Sequence, residues 1–246
     1  MAFVTARGAR FHTVELGSSG PQVVMLHGLF TGSIASWYLT VAPAVADRAR
    51  IRLIDWRGHG LSERTPSGYG SDQMARDLAA LTEDLERFAI VGHSFGAIVA
   101  VRFAIAQPDR VTRMALVDPP LADGARPWWT PDQSLLTREQ ARAATPRPGA
   151  RHRAGLALCH LIEETTILPE LEAEPPLTGA DVRELARIPT TIVVGAQSPY
   201  RAAAEEIAGV WPGTSCRVLP GAHDLQVAAR KPLADLLVRF LEVPDG

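Results

Sequence analysis

Cysteine and lysine are scarce in this sequence, and the scarcity of cysteine argues against a metal site or a redox motif. Among 246 residues there are 2 cysteines, and Lys231 is the only lysine. Cys159 and Cys216 lie far apart, and neither has a partner at metal-ligand spacing or a neighbour that would complete a redox motif. We therefore expect two buried thiols and no metal site, with a disulfide as the alternative in an oxidising compartment.

Strong net charge and long apolar runs are missing too. The formal net charge of -2 gives no electrostatic footprint for binding nucleic acid or an anionic membrane surface. No stretch approaches the roughly 18 uncharged apolar residues that a membrane helix needs. Residues 1–7 lack the charged start and apolar run of a signal peptide. We expect a cytoplasmic protein, and the sequence does not indicate its oligomeric state.

What the sequence does contain is an alternation of short apolar, β-branched segments with longer amphipathic ones. This alternation predicts an α/β fold with a mostly parallel sheet and helices on both faces. The predicted strands are residues 3–5, 10–15, 22–26, 51–55, 88–91, 112–117, 190–194 and 216–219. The predicted helices are residues 33–45, 71–86 with Ser71 as the N-cap, 97–106, 202–210 and 232–240.

The segment from residue 121 to residue 187 interrupts this alternation. It is rich in proline, carries short helical pieces such as residues 152–162, and contains no strand-like core of its own. We interpret it as a helical lid inserted into one core domain, which residues 1–120 and 188–246 form together. Large apolar side chains are frequent in the lid, and among them are Trp128 and Trp129.

The sharpest local signal is the turn Gly92-His93-Ser94-Phe95-Gly96. A β-type run precedes it and an apolar helix follows, which is the context that a nucleophile elbow requires. A serine hydroxyl becomes reactive when such a turn holds it clear of the backbone and next to a base. The turn crowds the neighbouring backbone, so the positions two before and two after Ser94 favour glycine. The pattern predicts that Ser94 is a nucleophile.

Several motifs taken together resemble those of the α/β-hydrolase superfamily, and the resemblance spans nearly the whole chain. They are His27-Gly28, Trp56-Arg57-Gly58-His59-Gly60-Leu61-Ser62, the turn at residues 92–96, and His223. The resemblance implies an eight-stranded, mostly parallel sheet and an enzyme without cofactor, but it says little about the substrate. Ser94 stands where dehalogenases and epoxide hydrolases carry aspartate, which argues against those two chemistries.

The resemblance also assigns the rest of the machinery. In the order of that superfamily the base is a late histidine after the last strand, which is the place of His223. The backbone N–H groups of Leu29 and Phe95 are expected to form the oxyanion hole. The remaining histidines form no metal-ligand cluster. We interpret His59 as a structural residue of an arginine- and glycine-rich loop, and we expect a structural role for Arg57 in the same loop.

The triad acid departs from the superfamily pattern. Relatives commonly place an aspartate shortly after the strand that corresponds to residues 190–194, and Ser198 stands there in this sequence. Serine cannot offset the charge that develops on an imidazolium. Asp118 closes the strand after the nucleophile helix, a position from which some members supply the acid, so we expect Asp118 in this role. The lid carboxylates Glu163, Glu164 and Asp181 are the alternatives.

We therefore expect a serine hydrolase that transfers the acyl group of an ester or thioester. Its substrate would be a largely apolar small molecule, in a pocket that Phe30, Trp37, Trp128 and Trp129 line. One alternative keeps the fold and uses His223 as a proton shuttle in a lyase, a cyclase or a cofactor-free oxygenase. A second alternative is a binding module without catalysis.

Overall fold

A computed structural model of the chain describes residues 1–30, 32–122, 129 and 150–242. Its centre is one eight-stranded sheet in the order β1-β2-β4-β3-β5-β6-β7-β8. The strands are β1 (Ala2–Ala6), β2 (Ala9–Leu16), β3 (Gln22–Leu26), β4 (Arg50–Ile54), β5 (Phe88–His93), β6 (Val111–Val117), β7 (Thr190–Gly195) and β8 (Thr214–Leu219). Strand β2 pairs antiparallel with β1 and β4, and every other pairing is parallel. The predicted eight-stranded, mostly parallel sheet is confirmed.

Helices cover both faces of the sheet and bury two separate apolar layers. They are α1 (Ala35–Tyr38), α2 (Ala42–Ala46), α3 (Ser71–Leu81), α4 (Phe95–Ala106), α5 (Ala150–Glu164), α6 (Ile167–Glu172), α7 (Gly179–Arg183), α8 (Arg201–Val210), α9 (Leu225–Ala228) and α10 (Arg230–Leu241). Alternate residues of β5 show how the layers divide. Ile90 packs in the layer with α3 and α4, whereas Ala89 and Val91 pack in the layer with α1, α2 and α10.

Two predicted helices differ from the observed ones. The helix expected over residues 33–45 is two short helices, α1 and α2, because the chain turns between them and Pro43 opens the second. The helix expected to end at residue 86 ends at Leu81, where the Thr82 hydroxyl donates to the Leu78 carbonyl. The N-cap of α3 is Gly70 instead of Ser71, whose hydroxyl donates to Glu174.

The chain between β6 and β7 is fastened to the core through its described residues. Glu170 of α6 accepts hydrogen bonds from the backbone N–H groups of Gly68 and Tyr69, at 2.9 and 2.7 Å. Arg102 of α4 donates to the Pro175 carbonyl. These contacts join α6 to the loop before α3, and the residues after α6 to α4. Trp128 lies outside the described residues.

Both cysteines are half-buried rather than fully buried, which corrects the expectation for these thiols. Burial raises the pKa of Cys216 above its ordinary value. Within the described ranges no helix is both long enough and apolar enough to cross a membrane.

Candidate active site

Ser94 sits on a strained turn between β5 and α4. Its φ of 53° lies in the left-handed region that non-glycine residues rarely adopt. The two flanking glycines are required by close backbone contacts. A Cβ on Gly92 would lie 2.5 Å from the Gly96 carbonyl oxygen, and a Cβ on Gly96 would lie 2.7 Å from that of His27. The local sequence therefore folds as an elbow that lifts Ser94 above the end of the sheet.

His223 reaches Ser94 from the loop after β8. Its Nε2 lies 3.0 Å from the Ser94 Oγ, which is hydrogen-bond distance. The loop can approach because Gly195, at the end of β7, has no side chain. A Cβ there would lie 2.4 Å from the Ala222 carbonyl oxygen. The His223 side chain is 37% exposed, so the imidazole borders both solvent and the buried side of the site.

Asp118 closes the line of contacts on the other side of the imidazole. Its Oδ2 lies 2.7 Å from His223 Nδ1, and the carboxylate is fully buried. Like Ser94, it has a positive φ, here 45°, directly after β6. The Gly195 N–H donates to Oδ1 at 2.9 Å, and the Ser198 hydroxyl donates to Oδ2 at 2.8 Å. The structure thus brings together the serine, histidine and aspartate that the sequence analysis selected.

His93 contacts both the backbone and the ring of His223. Its Nε2–H donates to the His223 carbonyl oxygen at 3.0 Å, and the two ring centroids are 4.9 Å apart. Burial, together with the nearby imidazole of His223, lowers the pKa of His93 to about 4. A neutral His93 adds no competing charge beside the imidazole that must accept a proton. The sequence analysis assigned no role to His93.

Phe95 follows the nucleophile directly, and Leu29 belongs to the loop after β3. Phe95 is the first residue of α4, so its N–H is one of those that a helix leaves without an intrahelical partner. Leu29 follows Gly28, whose backbone approaches Ser94 closely. A Cβ on Gly28 would lie 3.0 Å from the Ser94 Cβ. Both N–H groups therefore belong to backbone that borders the hydroxyl of Ser94.

Two further histidines hold the loop that carries Leu29, and the sequence analysis gave neither of them such a role. The Nδ1–H of His27 donates to the Gly28 carbonyl oxygen at 2.7 Å. His59 Nε2 accepts a hydrogen bond from the Phe30 N–H at 2.9 Å. Burial lowers the pKa of His27 to about 3, and burial also lowers the pKa of His59. A histidine that stays neutral can serve as donor at one nitrogen and acceptor at the other.

The predicted pocket residues lie in different surroundings. Phe30 is half-buried and has a φ of 66°. Trp129 is fully buried and meets the Phe95 ring edge-on, with centroids 6.0 Å apart. Trp37 lies within the core layer under the site, where its indole N–H donates to the Leu26 carbonyl. Trp129 therefore contacts the residue after Ser94, Phe30 lies on the loop of Leu29, and Trp37 packs within the core.

Other side chains complete the surroundings of the site. Tyr200, which the sequence analysis missed, meets the His223 ring edge-on at 5.7 Å between centroids. Burial raises the pKa of Tyr200. Two of the lid carboxylates have partners of their own, since Glu164 binds Arg64 and His160, and Asp181 binds Thr178. The described residues include no cluster of histidine, cysteine and carboxylate groups that could hold a metal ion.

The arrangement has a counterpart among known families. A sequence model described as the alpha/beta hydrolase fold matches residues 21–157, which is more than half of the chain. The chain belongs to the α/β-hydrolase fold family. The match includes the elbow and the strand that precedes Asp118, and the resemblance noted from the motifs is confirmed.

Relatives within the α/β-hydrolase family carry different activities. N-formylmaleamate deformylase of Pseudomonas putida is 32% identical over 136 residues, which are 51% of this chain and 50% of that protein. Soluble epoxide hydrolase of Corynebacterium sp. is 36% identical over 115 residues, which are 45% of this chain and 38% of that protein. The similarity thus extends over half or less of each relative's own length.

Comparison of folds gives the same family over nearly the whole chain. The crystal structure of the enol-lactonase from Burkholderia xenovorans LB400 superimposes with a TM-score of 0.76 at 20% identity. The alignment covers 98% of this chain and 100% of the lactonase. At that identity the likeness shows the α/β-hydrolase fold alone and leaves the reaction open.

Proposed function

We propose that this protein is a serine hydrolase that transfers the acyl group of an ester or thioester. The observation that carries the proposal is the line of contacts from Ser94 through His223 to Asp118. Its two distances are 3.0 Å and 2.7 Å. Both lie in the range over which a nucleophile, a base and an orienting acid exchange or hold protons.

The residues suggest the course of the reaction. As the Ser94 oxygen attacks the carbonyl carbon, His223 Nε2 takes the hydroxyl proton, and Asp118 stabilises the imidazolium. The N–H groups of Leu29 and Phe95 bind the oxyanion of the tetrahedral intermediate. The intermediate collapses, His223 protonates the departing alkoxide or thiolate, and an acyl-Ser94 ester remains. Water, deprotonated by His223, then cleaves this ester and releases the carboxylic acid.

The substrate is a largely apolar small molecule, and the segment of residues 121–187 is the lid over it. Three aromatic side chains support this part of the proposal. Phe95 follows the nucleophile, Trp129 meets the Phe95 ring, and Phe30 packs against the same apolar layer. Leu121 packs against the same apolar layer. A pocket of this kind binds through apolar contact and uses few polar groups for orientation.

A proton shuttle in a lyase, cyclase or oxygenase would be favoured if His223 lacked a carboxylate partner, since Ser198 stands at the usual position of the acid. Asp118 supplies a buried carboxylate at 2.7 Å from His223, so no specific observation favours that alternative. A binding module without catalysis has no use for the strained backbone of Ser94, whose φ is 53°. Acyl transfer uses both features, the strained serine as nucleophile and the buried carboxylate as the acid of the triad.

Steady-state hydrolysis of p-nitrophenyl butyrate tests the proposal, with Ser36→Ala as the matched control. Ser94→Ala should lower kcat by several orders of magnitude, and His223→Gln should do the same, because these groups act as a unit. Ser36 donates only to the Ser33 carbonyl, so its variant should keep the wild-type rate. A Ser94→Ala protein that retains most of its activity would favour proton abstraction by His223 instead.

A further inference from the structure

The backbone around Leu29 is held on both sides by a buried histidine. On one side the Gly28 carbonyl oxygen accepts from His27 Nδ1 at 2.7 Å. On the other side the Phe30 N–H donates to His59 Nε2 at 2.9 Å. Both imidazoles are almost inaccessible to solvent, with exposed fractions of 0% for His27 and 3% for His59.

The hydrogen bonds of His59 define its protonation. Its Nδ1 lies 2.8 Å from the Arg57 carbonyl oxygen, which can only accept, so the proton resides on Nδ1. Nε2 is then an acceptor, and the Phe30 N–H uses it. Burial favours this neutral form because it lowers the pKa of His59. A protonated His59 would have no lone pair left for Phe30.

Phe30 needs such an external contact. Its φ of 66° is unfavourable for a residue with a bulky side chain, so the local sequence alone does not maintain this conformation. A peptide unit is planar, so fixing one of its polar groups fixes the whole plane. The bond to His59 therefore fixes the Leu29–Phe30 peptide, and the bond from His27 fixes the peptide that carries the Leu29 N–H.

We propose that His59 is a positioning residue for the oxyanion hole. Its Nε2 holds the Phe30 N–H and so fixes the peptide plane that follows Leu29, while His27 fixes the plane before it. With both planes fixed, the Leu29 N–H stays directed at the reacting carbonyl oxygen. The inference rests on the proposed acyl transfer at Ser94. The loop is close enough for a small rotation to matter, since a Cβ on Gly28 would already lie 3.0 Å from the Ser94 Cβ. Misplacing a group by about 1 Å can cost about a hundredfold in rate.

Two substitutions separate the acceptor of His59 from its donor. In His59→Gln the side-chain amide reaches the position of Nε2 and can accept from Phe30. In His59→Asn the shorter amide reaches the position of Nδ1, so it keeps the bond to the Arg57 carbonyl and loses the one to Phe30. Leu61→Ala, on the same loop and 60% exposed, controls for general disturbance of that loop.

The probes are p-nitrophenyl butyrate and an alkyl trifluoromethyl ketone. The Ser94 oxygen adds to the ketone carbon, His223 takes the proton, and the ketone oxygen becomes the anion that the hole binds. His59→Asn should lower kcat about tenfold or more with KM within about twofold, and should raise the ketone Ki by the same factor. For His59→Gln, kcat and the ketone Ki should stay within about threefold of the wild-type values, and Leu61→Ala should have the wild-type values of both.

Equal activity of the wild-type, His59→Asn and His59→Gln proteins would overturn the inference, as would equal losses in both variants. Thermal unfolding is measured first, and His59→Leu replaces His59→Asn if the latter does not fold. If neither His59→Asn nor His59→Leu folds, His59 is required for folding and not specifically for the oxyanion hole, which would also overturn the inference. If wild-type hydrolysis is absent, or Ser94→Ala matches it, the proposed function itself fails.

Discussion

The hydroxyl of Ser198 donates a hydrogen bond to the carboxylate of Asp118 at 2.8 Å. The Tyr200 N–H donates to the same hydroxyl oxygen at 3.1 Å, so the proton of Ser198 is directed at the carboxylate. Ser198 stands where many α/β-hydrolases carry the acid, and here it contacts the acid that comes from β6. Its hydroxyl and the Gly195 N–H hold the two carboxylate oxygens, with Oδ2 facing His223.

Ser198→Ala should lower kcat/KM for p-nitrophenyl butyrate about ten- to a hundredfold, because a hydrogen bond to a charged group contributes about 1.5–3 kcal/mol. Steady-state kinetics measures the loss. Ser215→Ala is the matched control, since that hydroxyl bonds to Thr191 on the neighbouring strand and should not affect the rate. Equal rates for the Ser198→Ala and wild-type proteins would show that the Gly195 N–H orients Asp118 unaided.

The acid should be transferable between the two strand ends. A carboxylate at position 198 places its oxygens one C–O bond, about 1.2 Å, beyond the present hydroxyl, which already contacts the Asp118 oxygen that faces His223. We expect Asp118→Ser alone to lower kcat by about four orders of magnitude, and adding Ser198→Asp to restore at least about tenfold of that loss. No recovery in a folded double variant would mean that position 198 cannot present a carboxylate to Nδ1.

Short-range sequence features predicted the fold and the position of the elbow at Ser94 well. The elbow is compressed into five residues, and its glycines at positions 92 and 96 follow from backbone contacts that any such turn must make. The strand pattern predicted the sheet because buried strands are apolar throughout. Asp118 was selected because some members of the resembled superfamily supply the acid from this strand end, and the structure places its Oδ2 2.7 Å from His223 Nδ1.

Contacts between distant residues could not be predicted in the same way. His59 and Phe30 are 29 positions apart, and Ser198 and Asp118 are 80 apart. Only the folded chain brings the members of each pair within hydrogen-bond distance. The sequence around His59 therefore did not indicate its contact with Phe30, and the serine at position 198 did not indicate its contact with Asp118. Trp37 was assigned to the pocket because an aromatic side chain looks alike in a core and in a cavity.

Arg57 and Asp77 form a buried pair that supports the loop of His59. Two hydrogen bonds of 2.7 Å join the guanidinium to the carboxylate, and the Asp77 side chain is fully buried. Asp77→Ala should reduce the free energy of unfolding by about 3–5 kcal/mol, because it leaves a buried charge without its partner. Urea unfolding measures this loss.

The exposed pair of Arg187 and Asp109 provides the control for that measurement. Its side chains are 58% and 87% exposed, and the two groups lie 2.7 Å apart. Asp109→Ala should change the free energy of unfolding by less than about 1 kcal/mol. Similar losses for Asp77→Ala and Asp109→Ala would contradict a special contribution of the buried pair.

Stability should fall as the pH is lowered from 7 towards 4. The folded state keeps His93 neutral down to a pKa of about 4 and His27 down to about 3, against 6.5 for an ordinary histidine. Below pH 6.5 the unfolded chain therefore binds protons that the folded chain does not. Each such histidine should cost about 1.4 kcal/mol per pH unit in that window.

Urea unfolding at pH 7 and at pH 4.5 measures this dependence. His93→Gln should flatten the loss with pH relative to wild type, whatever its effect at pH 7. Ser215→Ala, which removes a hydroxyl and no titratable group, should leave the slope as it is. A wild-type protein whose free energy of unfolding is the same at both pH values would show that these buried histidines bind protons in the folded state.

The central claim is that Ser94 is a nucleophile, and covalent labelling tests it most directly. A fluorophosphonate should add one phosphonyl group to the wild-type protein with loss of fluoride, and peptide mapping by mass spectrometry should place the group on Ser94. The Ser94→Ala protein should gain no mass. A folded wild-type protein with an open pocket that stays unlabelled, or a Ser94→Ala protein labelled to the same extent, would contradict the claim.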